Sequence, residues 1–387
     1  MSALDAGAIK RLAVARAREL GASGVRVAPA FRDEEARRRM RASFARGDLR
    51  TWGYDERYAA VSTDPDTLIA GARSVICIAL PYATQAPRER APLRGRVSNY
   101  AWSPDYHRRV GAILREVAAR IDAAAGAKVT AVACDTRPIA ERAFAASAGL
   151  GWIGKHTNLI APEAGSFVFL GEIVTTLALE PDAPLRKHCG SCARCVQACP
   201  TGALRGDYTI EGTRCISDLT QRTDGIPRSL RALIGDWVWG CDLCQLVCPP
   251  TARATAAADP RDNAPLDPHG AAPELQALLR LRAGEFKRRF ARTAMGWRGA
   301  AVLRRNAAVA LGNALDRASV PALALALGED PHPMVRGHAA WALGRIASPS
   351  AVTALRGRYE VEADPSVREE IDAALRPLVP GLEKKRS

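Results

Sequence analysis

Eight cysteines within 60 residues are the part of this sequence best equipped for chemistry: Cys189, Cys192, Cys195, Cys199, Cys215, Cys241, Cys244 and Cys248. The first four read C-G-S-C-A-R-C-V-Q-A-C-P, the C-x2-C-x2-C-x3-C-P run of bacterial ferredoxins. The last three, C-D-L-C-Q-L-V-C-P, repeat that pattern without its first cysteine, and Cys215 can supply the missing thiolate. Eight thiolates in two sets of four are the ligands of two [4Fe–4S] clusters. In such runs the fourth cysteine, set apart and followed by proline, reaches the other cluster. The spacing therefore predicts Cys189, Cys192, Cys195 and Cys248 on one cluster and Cys199, Cys215, Cys241 and Cys244 on the second. Zinc fits poorly, because its sites usually pair two C-x-x-C motifs or include histidine. The remaining cysteines, Cys77 and Cys134, stand in apolar runs and read as buried strand residues.

Two clusters pass single electrons and need an acceptor. No G-x-G-x-x-G follows a strand, which argues against a dinucleotide fold and leaves a flavin or a corrinoid. Asp105-Tyr106-His107 is followed by glycine one place too late for the D-x-H-x-x-G of histidine-ligated corrinoid domains. The strongest acid candidate is Asp135, at the end of the apolar run VTAVAC. In a partly apolar pocket its pKa would rise and it could deliver a proton; alternatively, it caps the next helix. Tyr106 and His107 form a second polar cluster, or simply begin a helix.

The elements that must position these groups are legible in outline. Residues 1–180 alternate helix and strand: strands at GVRVA, 74–80 and 129–134, helices at 110–126 and 139–150, and two strands or a hairpin in 166–179. That is an α/β or α+β domain. A proline-rich connector, 249–273, follows the cysteines. From about 274 the chain is helical and repeats at an offset of 32: Arg304, Arg336 and Arg368 align, as do Leu311, Leu343 and Leu375. This suits HEAT-type repeats stacking to share a core. The expected division is an α/β domain at 1–184, a ferredoxin-like module at 185–250, a linker at 251–273 and repeats at 274–387.

The chain has 387 residues, 48% of them hydrophobic and 25% charged, which excludes wholesale disorder. It has no signal-peptide core and no uncharged apolar run near the length of a membrane span. A cytoplasmic protein without membrane association is expected, and disulfides are rare in that compartment. The net charge is +14, and residues 280–305 hold nine basic residues against Glu285. Such a concentration predicts a polyanion partner. Lys287, Arg288, Arg289, Arg304 and Arg305 are the candidate contacts. Phe286, Phe290 and Trp297 among them could pack in the core or stack on bases. Arg37, Arg38, Arg39 and Arg41, diluted by acids, read as an exposed helix face.

The stretches NYAWSPDYH (99–107), DTRPIAERAFAASAGLGWIGKHTNLI (135–160), the two cysteine runs, CISDLT (215–220) and RRNAAVALGN (304–313) resemble epoxyqueuosine reductases, in order and over nearly the whole chain. One departure is Pro250-Thr251, where that family often has Trp-Asn. The resemblance implies a cobalamin-dependent enzyme with two [4Fe–4S] clusters. It would reduce epoxyqueuosine at the tRNA wobble position to queuosine, the last step of that nucleoside's synthesis. It makes the first domain the cobalamin-binding one and the repeats a holder of the anticodon stem-loop. It assigns the proton-donating aspartate to Asp135, with Tyr106 and His107 on the substrate face. By family position, Arg57, Ser98, Asp135, Lys155, Thr157, Asn158 and Ser217 are the expected cobalamin contacts. The expected partners are tRNA and an external one-electron donor such as a flavodoxin or ferredoxin, acting on a monomer. Alternatives are a cobalamin-dependent reductive dehalogenase and a ferredoxin-like electron carrier.

Overall fold

The computed structural model describes residues 5–84, 92–255 and 270–378. Most of the expected linker, 256–269, lies outside them. The strands are β1 (Gly24–Pro29), β2 (Ser74–Pro81), β3 (Arg96–Val97), β4 (Thr130–Ala133), β5 (Trp152–Ile153), β6 (Leu159–Ile160), β7 (Val168–Thr175) and β8 (Trp237–Trp239). The chain forms two compact units. One comprises Met1–Gln85, Ser103–Cys215 and Asp242–Ala264; the other comprises Ala86–Trp102, Ile216–Cys241 and Pro265–Ser387.

The first unit is built on a sheet in the order β1-β2-β7-β4, antiparallel at every pairing. Of the two readings, α/β or α+β, this favours α+β. Five longer helices accompany the sheet: α1 (Ala6–Glu19), α2 (Glu34–Ala45), α3 (Glu56–Ser62), α4 (Tyr106–Ala125) and α5 (Glu141–Ser147). The first four begin at Asp5, Asp33, Asp55 and Asp105, whose carboxylates accept N–H groups of the first turn that would otherwise lack partners. One face of the sheet packs on α5 through Val75, Cys77, Ala133, Phe144, Ala145 and Val174. The other face meets α4, whose Val110, Ile113, Leu114, Val117 and Ile121 recur at helical spacing and are buried.

The stretch expected to be two strands or a hairpin is one central strand, β7. Gly171 does not turn the chain; it pairs in register with Ile78. A Cβ there would stand 2.8 Å from Val110 and 2.9 Å from Leu114, so the glycine admits α4 against the sheet. Cys77 and Cys134 are buried, as expected, and burial raises both thiols. On α2, Arg38, Arg39 and Arg41 are exposed and Arg37 is half-buried, each pairing with Glu35 or Glu56.

In the second unit, helices Ala300–Ala314, Pro333–Ile346 and Pro365–Leu375 pack in succession, alternating with Val320–Glu329 and Pro349–Val361. The 32-residue arginine column has a structural cause. Arg304 pairs with Asp330 at 2.7 Å and Arg336 with Glu362 at 2.9 Å, tying each repeat to the turn ahead. The segment between the fifth and sixth clustered cysteines joins this unit. Its β8 pairs in parallel with β3. Asn306 donates to the carbonyls of Thr220 (2.7 Å) and Val238 (2.8 Å), and Asn313 to those of Arg231 and Gly235 (both 2.9 Å).

Candidate active site

The chain runs out along α4 and back along β4, so the start of one meets the end of the other. Asp122 fixes the reversal by accepting the N–H of Val129 and the hydroxyl of Thr130, both at 2.9 Å. Asp135 lies just past β4 with φ of +48°, a left-handed conformation that Asp tolerates better than most residues. Its Oδ2 accepts the Tyr106 hydroxyl at 2.9 Å and meets His107 Nε2 at 3.0 Å. His107 Nδ1 lies 2.6 Å from Asp105 Oδ1, and the Tyr106 ring stacks on Phe169 at 4.2 Å. Asp135, Tyr106 and His107 are thus one hydrogen-bonded group. Asp135 does not cap α5, which Ala140 precedes without a side-chain cap.

Where the proton sits differs from the sequence expectation. The His107 hydrogen bond draws the Asp135 pKa below the usual carboxylate value, outweighing the opposing effect of burial. Burial pulls His107 down, but its bonds to Asp105 and Asp135 lift it to about 9. At neutral pH the pair is therefore carboxylate and imidazolium, with the transferable proton on His107. The Asp135 side chain is 59% exposed among the described residues.

Hairpin β5–β6 connects this group to the cysteines. Lys155, Thr157 and Asn158 lie in its tip. Arg142, on α5, donates to the Thr157 carbonyl at 2.8 Å. The Lys155 N–H points to Cys189 Sγ at 3.4 Å, and its ammonium donates to the Gly190 carbonyl at 2.9 Å. Thr157 has φ of +66°, costly for a β-branched residue and a kind of strain that concentrates at functional sites. Burial lowers the His156 pKa to about 4. Among the described residues, the buried Trp152 Nε1 and His156 Nε2 have no hydrogen-bond partner. Orphaned polar atoms in a strained hairpin suit a bound, amide-rich cofactor such as cobalamin.

Arg57 is exposed on α3. Ser98 and Ser217 belong to the second unit. Ser98 is buried, its N–H donating to Trp239, and Ser217 accepts a bond from Gln221. Sequence reasoning missed Tyr54 and Tyr58, whose rings stack 4.1 Å apart. Burial, followed by smaller electrostatic contributions that include Asp135, raises both phenols. Tyr54 precedes the Asp55 cap of α3 and Tyr58 lies in its first turn, so the available signal was an apolar pair flanking a helix start.

Among the cysteines, burial raises Cys195 and Cys248 first. Among the smaller contributions, Cys189 and Cys248 raise Cys195, and Cys189 and Cys192 raise Cys248 against the opposing hydrogen bonds with Thr251. Those four thiols are electrostatic neighbours although Cys248 is remote in sequence.

The basic segment divides. Lys287 and Arg288 are exposed on helix Ala283–Phe290, and Arg289 pairs with Glu285 at 2.9 Å. Arg304 is held by Asp330. Arg305 is 0% exposed and donates to the carbonyls of Leu219 (3.0 Å), Arg222 (3.1 Å) and Asp224 (2.5 Å). Both are corrected from phosphate contacts to structural residues, because their donors are already engaged inside the unit. Phe286 and Phe290 are core residues, whereas Trp297 is 55% exposed with the Arg298 guanidinium 3.6 Å from its ring centroid.

Three family models match in order: "Epoxyqueuosine reductase QueG, DUF1730" at 63–136, "4Fe-4S double cluster binding domain" at 188–251 and "HEAT repeats" at 298–376. The chain is 32% identical to the epoxyqueuosine reductase of Staphylococcus aureus over 99% of its length and 98% of the relative's. It is 36% identical to that of Bacillus subtilis over 84% of each. A crystal structure of selenomethionine-labelled epoxyqueuosine reductase superposes with a TM-score of 0.91 at 33% identity, covering 97% of this chain and all of that one. Another, at TM-score 0.90 and 32% identity over 97% of this chain and all of that one, holds an epoxyqueuosine-modified tRNA-Tyr stem loop. A third, from Bacillus subtilis, at TM-score 0.89, 32% identity and the same coverage, has its catalytic aspartate loop swung out of the active site. With full-length identity to such a relative and its modules in the same order, this chain belongs to the epoxyqueuosine reductase family.

Proposed function

We propose that Asp135 and His107 act together as the acid of an epoxyqueuosine reductase, with Tyr106 holding the carboxylate in place. The carrying observation is the three-residue hydrogen-bonded group, one hairpin away from Cys189. The family's reaction removes the epoxide oxygen of tRNA-bound epoxyqueuosine, consuming two electrons and two protons and releasing water. The family uses cobalamin and two [4Fe–4S] clusters. When bound, cobalamin supplies a strongly reducing metal centre that side chains cannot replace. Lys155, Thr157 and Asn158 would hold it, with Arg57, exposed on α3, as a further contact. His107 stores a proton at Nε2, and Asp135 carries it to the opening oxirane oxygen, so the oxygen need not leave as an unprotonated anion.

In this reading Cys189, Cys192, Cys195 and Cys248 ligate one cluster and Cys199, Cys215, Cys241 and Cys244 the other. The proximity of the first four thiols supports it. Replacing Cys248 by alanine should leave roughly four irons in place of eight and keep one cluster's absorbance. An unchanged iron content would refute the assignment.

Lys287, Arg288 and Arg289 are the phosphate contacts that remain after Arg304 and Arg305 are removed, Arg289 sharing its guanidinium with Glu285, and Trp297 with Arg298 offers a face for an unpaired base. No helix of the described residues is long and apolar enough to cross a membrane. The cytoplasm, where a bacterial tRNA-modifying enzyme meets its substrate, is the proposed compartment. There a flavodoxin or ferredoxin would reduce the monomer. A dehalogenase or a simple electron carrier is not favoured, because the matched full-length relatives are epoxyqueuosine reductases. The direct test is nucleoside mass spectrometry of tRNA from cells lacking the gene. Epoxyqueuosine should accumulate and wild-type complementation should restore queuosine; queuosine at normal levels in the deletion would overturn the reading.

A further inference from the structure

Asp135 presents a problem of position. It is a non-glycine residue in a left-handed turn, its side chain is more than half exposed, and a group that must meet a reacting atom cannot wander. A strained conformation persists when its surroundings over-determine it. The side-chain bond to the Asp135 backbone comes from Glu141, the first residue of α5, whose Oε1 accepts the Asp135 N–H at 2.7 Å. A glutamate in a helix's first turn ordinarily favours the positive end of its own helix or closes a capping box. Here the carboxylate reaches back six residues to the turn that carries the acid.

We propose that Glu141 is the positioning residue of the Asp135 turn, its carboxylate holding the backbone so that Asp135 Oδ2 stays between Tyr106 and His107. This rests on the reading of Asp135 and His107 as the acid pair.

The groups around Glu141 give the latch a pH range. Arg142 on α5 and His107 on α4 favour its charge, and Asp135 opposes it. On β7, Glu172 is fully buried with neither carboxyl oxygen partnered among the described residues, and burial, followed by the nearby Glu141 carboxylate, raises its pKa well above the ordinary glutamate value. Cys77 on β2 and Cys134 after β4 are neutral thiols, and Tyr58 on α3 is a neutral phenol. Burial lifts Glu141 to about 7. A carboxylate accepts a hydrogen bond more strongly than a carboxylic acid, so the latch tightens as pH rises through about 7. His107 keeps its proton up to about 9. The held turn and the loaded proton coexist between those values.

The test compares wild type, Glu141→Ala, Glu141→Gln and Asp135→Asn. It measures kcat and KM against pH in the reconstituted enzyme and amide hydrogen exchange of the Asp135 peptide. Glu141→Ala should lower kcat by about 10- to 100-fold, the scale of a misplaced catalytic group, with KM for tRNA within about twofold. It should also speed exchange at Asp135 by about tenfold, as expected for a lost hydrogen bond. Glu141→Gln keeps an acceptor of the same length and should recover most of kcat and slow exchange, without the acidic limb near 7. Wild-type exchange and kcat in Glu141→Ala would overturn the latch, as would an unchanged acidic limb in Glu141→Gln. If Asp135→Asn also turns over normally, the acid reading has failed instead.

Discussion

Asp135→Asn is expected to lower kcat by about 10²- to 10⁴-fold, the range for loss of a positioned general acid, with both clusters and cobalamin still bound. Asparagine fits the same space but can neither take a proton from His107 nor carry one to substrate. The change should also alter the pH profile. In the wild type, His107 is protonated below about 9 because Asp105 and Asp135 favour the imidazolium over the opposing effect of burial. Turnover should therefore fall as pH rises through about 9. Removing the Asp135 charge removes one of those two anions, so the alkaline limb of any residual activity should move to lower pH. The same groups affect stability. The His107 pKa is raised on folding, so its contribution is fully present below about 6.5 and lost as pH rises through about 9. Full turnover by the variant with its cofactors loaded would remove Asp135 from the mechanism.

Arg305→Met should destabilise the helical unit by about 3–5 kcal/mol, whereas Lys287→Ala with Arg288→Ala should barely change its melting temperature. Arg305 has no solvent exposure, and its guanidinium serves three carbonyls and the Asn306 amide oxygen. Methionine fills part of the volume but leaves those carbonyls unpaired, at about 1–3 kcal/mol for each lost donor, with partial relaxation reducing the sum. The exposed pair should show the converse. Each lost phosphate contact weakens stem-loop binding and lowers the slope of log affinity against log salt by about one. If Arg305→Met melts like wild type and loses salt-dependent tRNA affinity, Arg305 is a phosphate contact after all.

Those two variants also mark where local sequence stops being informative. The cysteine runs were legible because the cluster dictates their spacing, and β2 because it is a fully buried apolar run; β4 lies inside the expected 129–134, one residue short at each end. The HEAT period was legible because each repeat makes the same contacts, down to the arginine that ties it to the next turn. The fate of a basic residue was not legible. Arg288 and Arg305 are the same type in the same basic stretch, but one stands on an exposed helix face and the other serves carbonyls more than 80 residues away in sequence.

The charge on Asp135 was likewise undecidable from its neighbours in the chain. Its pKa depends on His107 and Tyr106, 28 and 29 residues earlier. The sequence by itself determined the iron–sulfur ligand chemistry and the order of modules, because ligand spacing and hydrophobic period are short-range constraints. Only the tertiary structure decided how Asp135 and His107 share charge, which arginines face solvent, and that Glu141 reaches the Asp135 turn. Those properties come from contacts between distant segments, where burial and a neighbouring charge outweigh residue type.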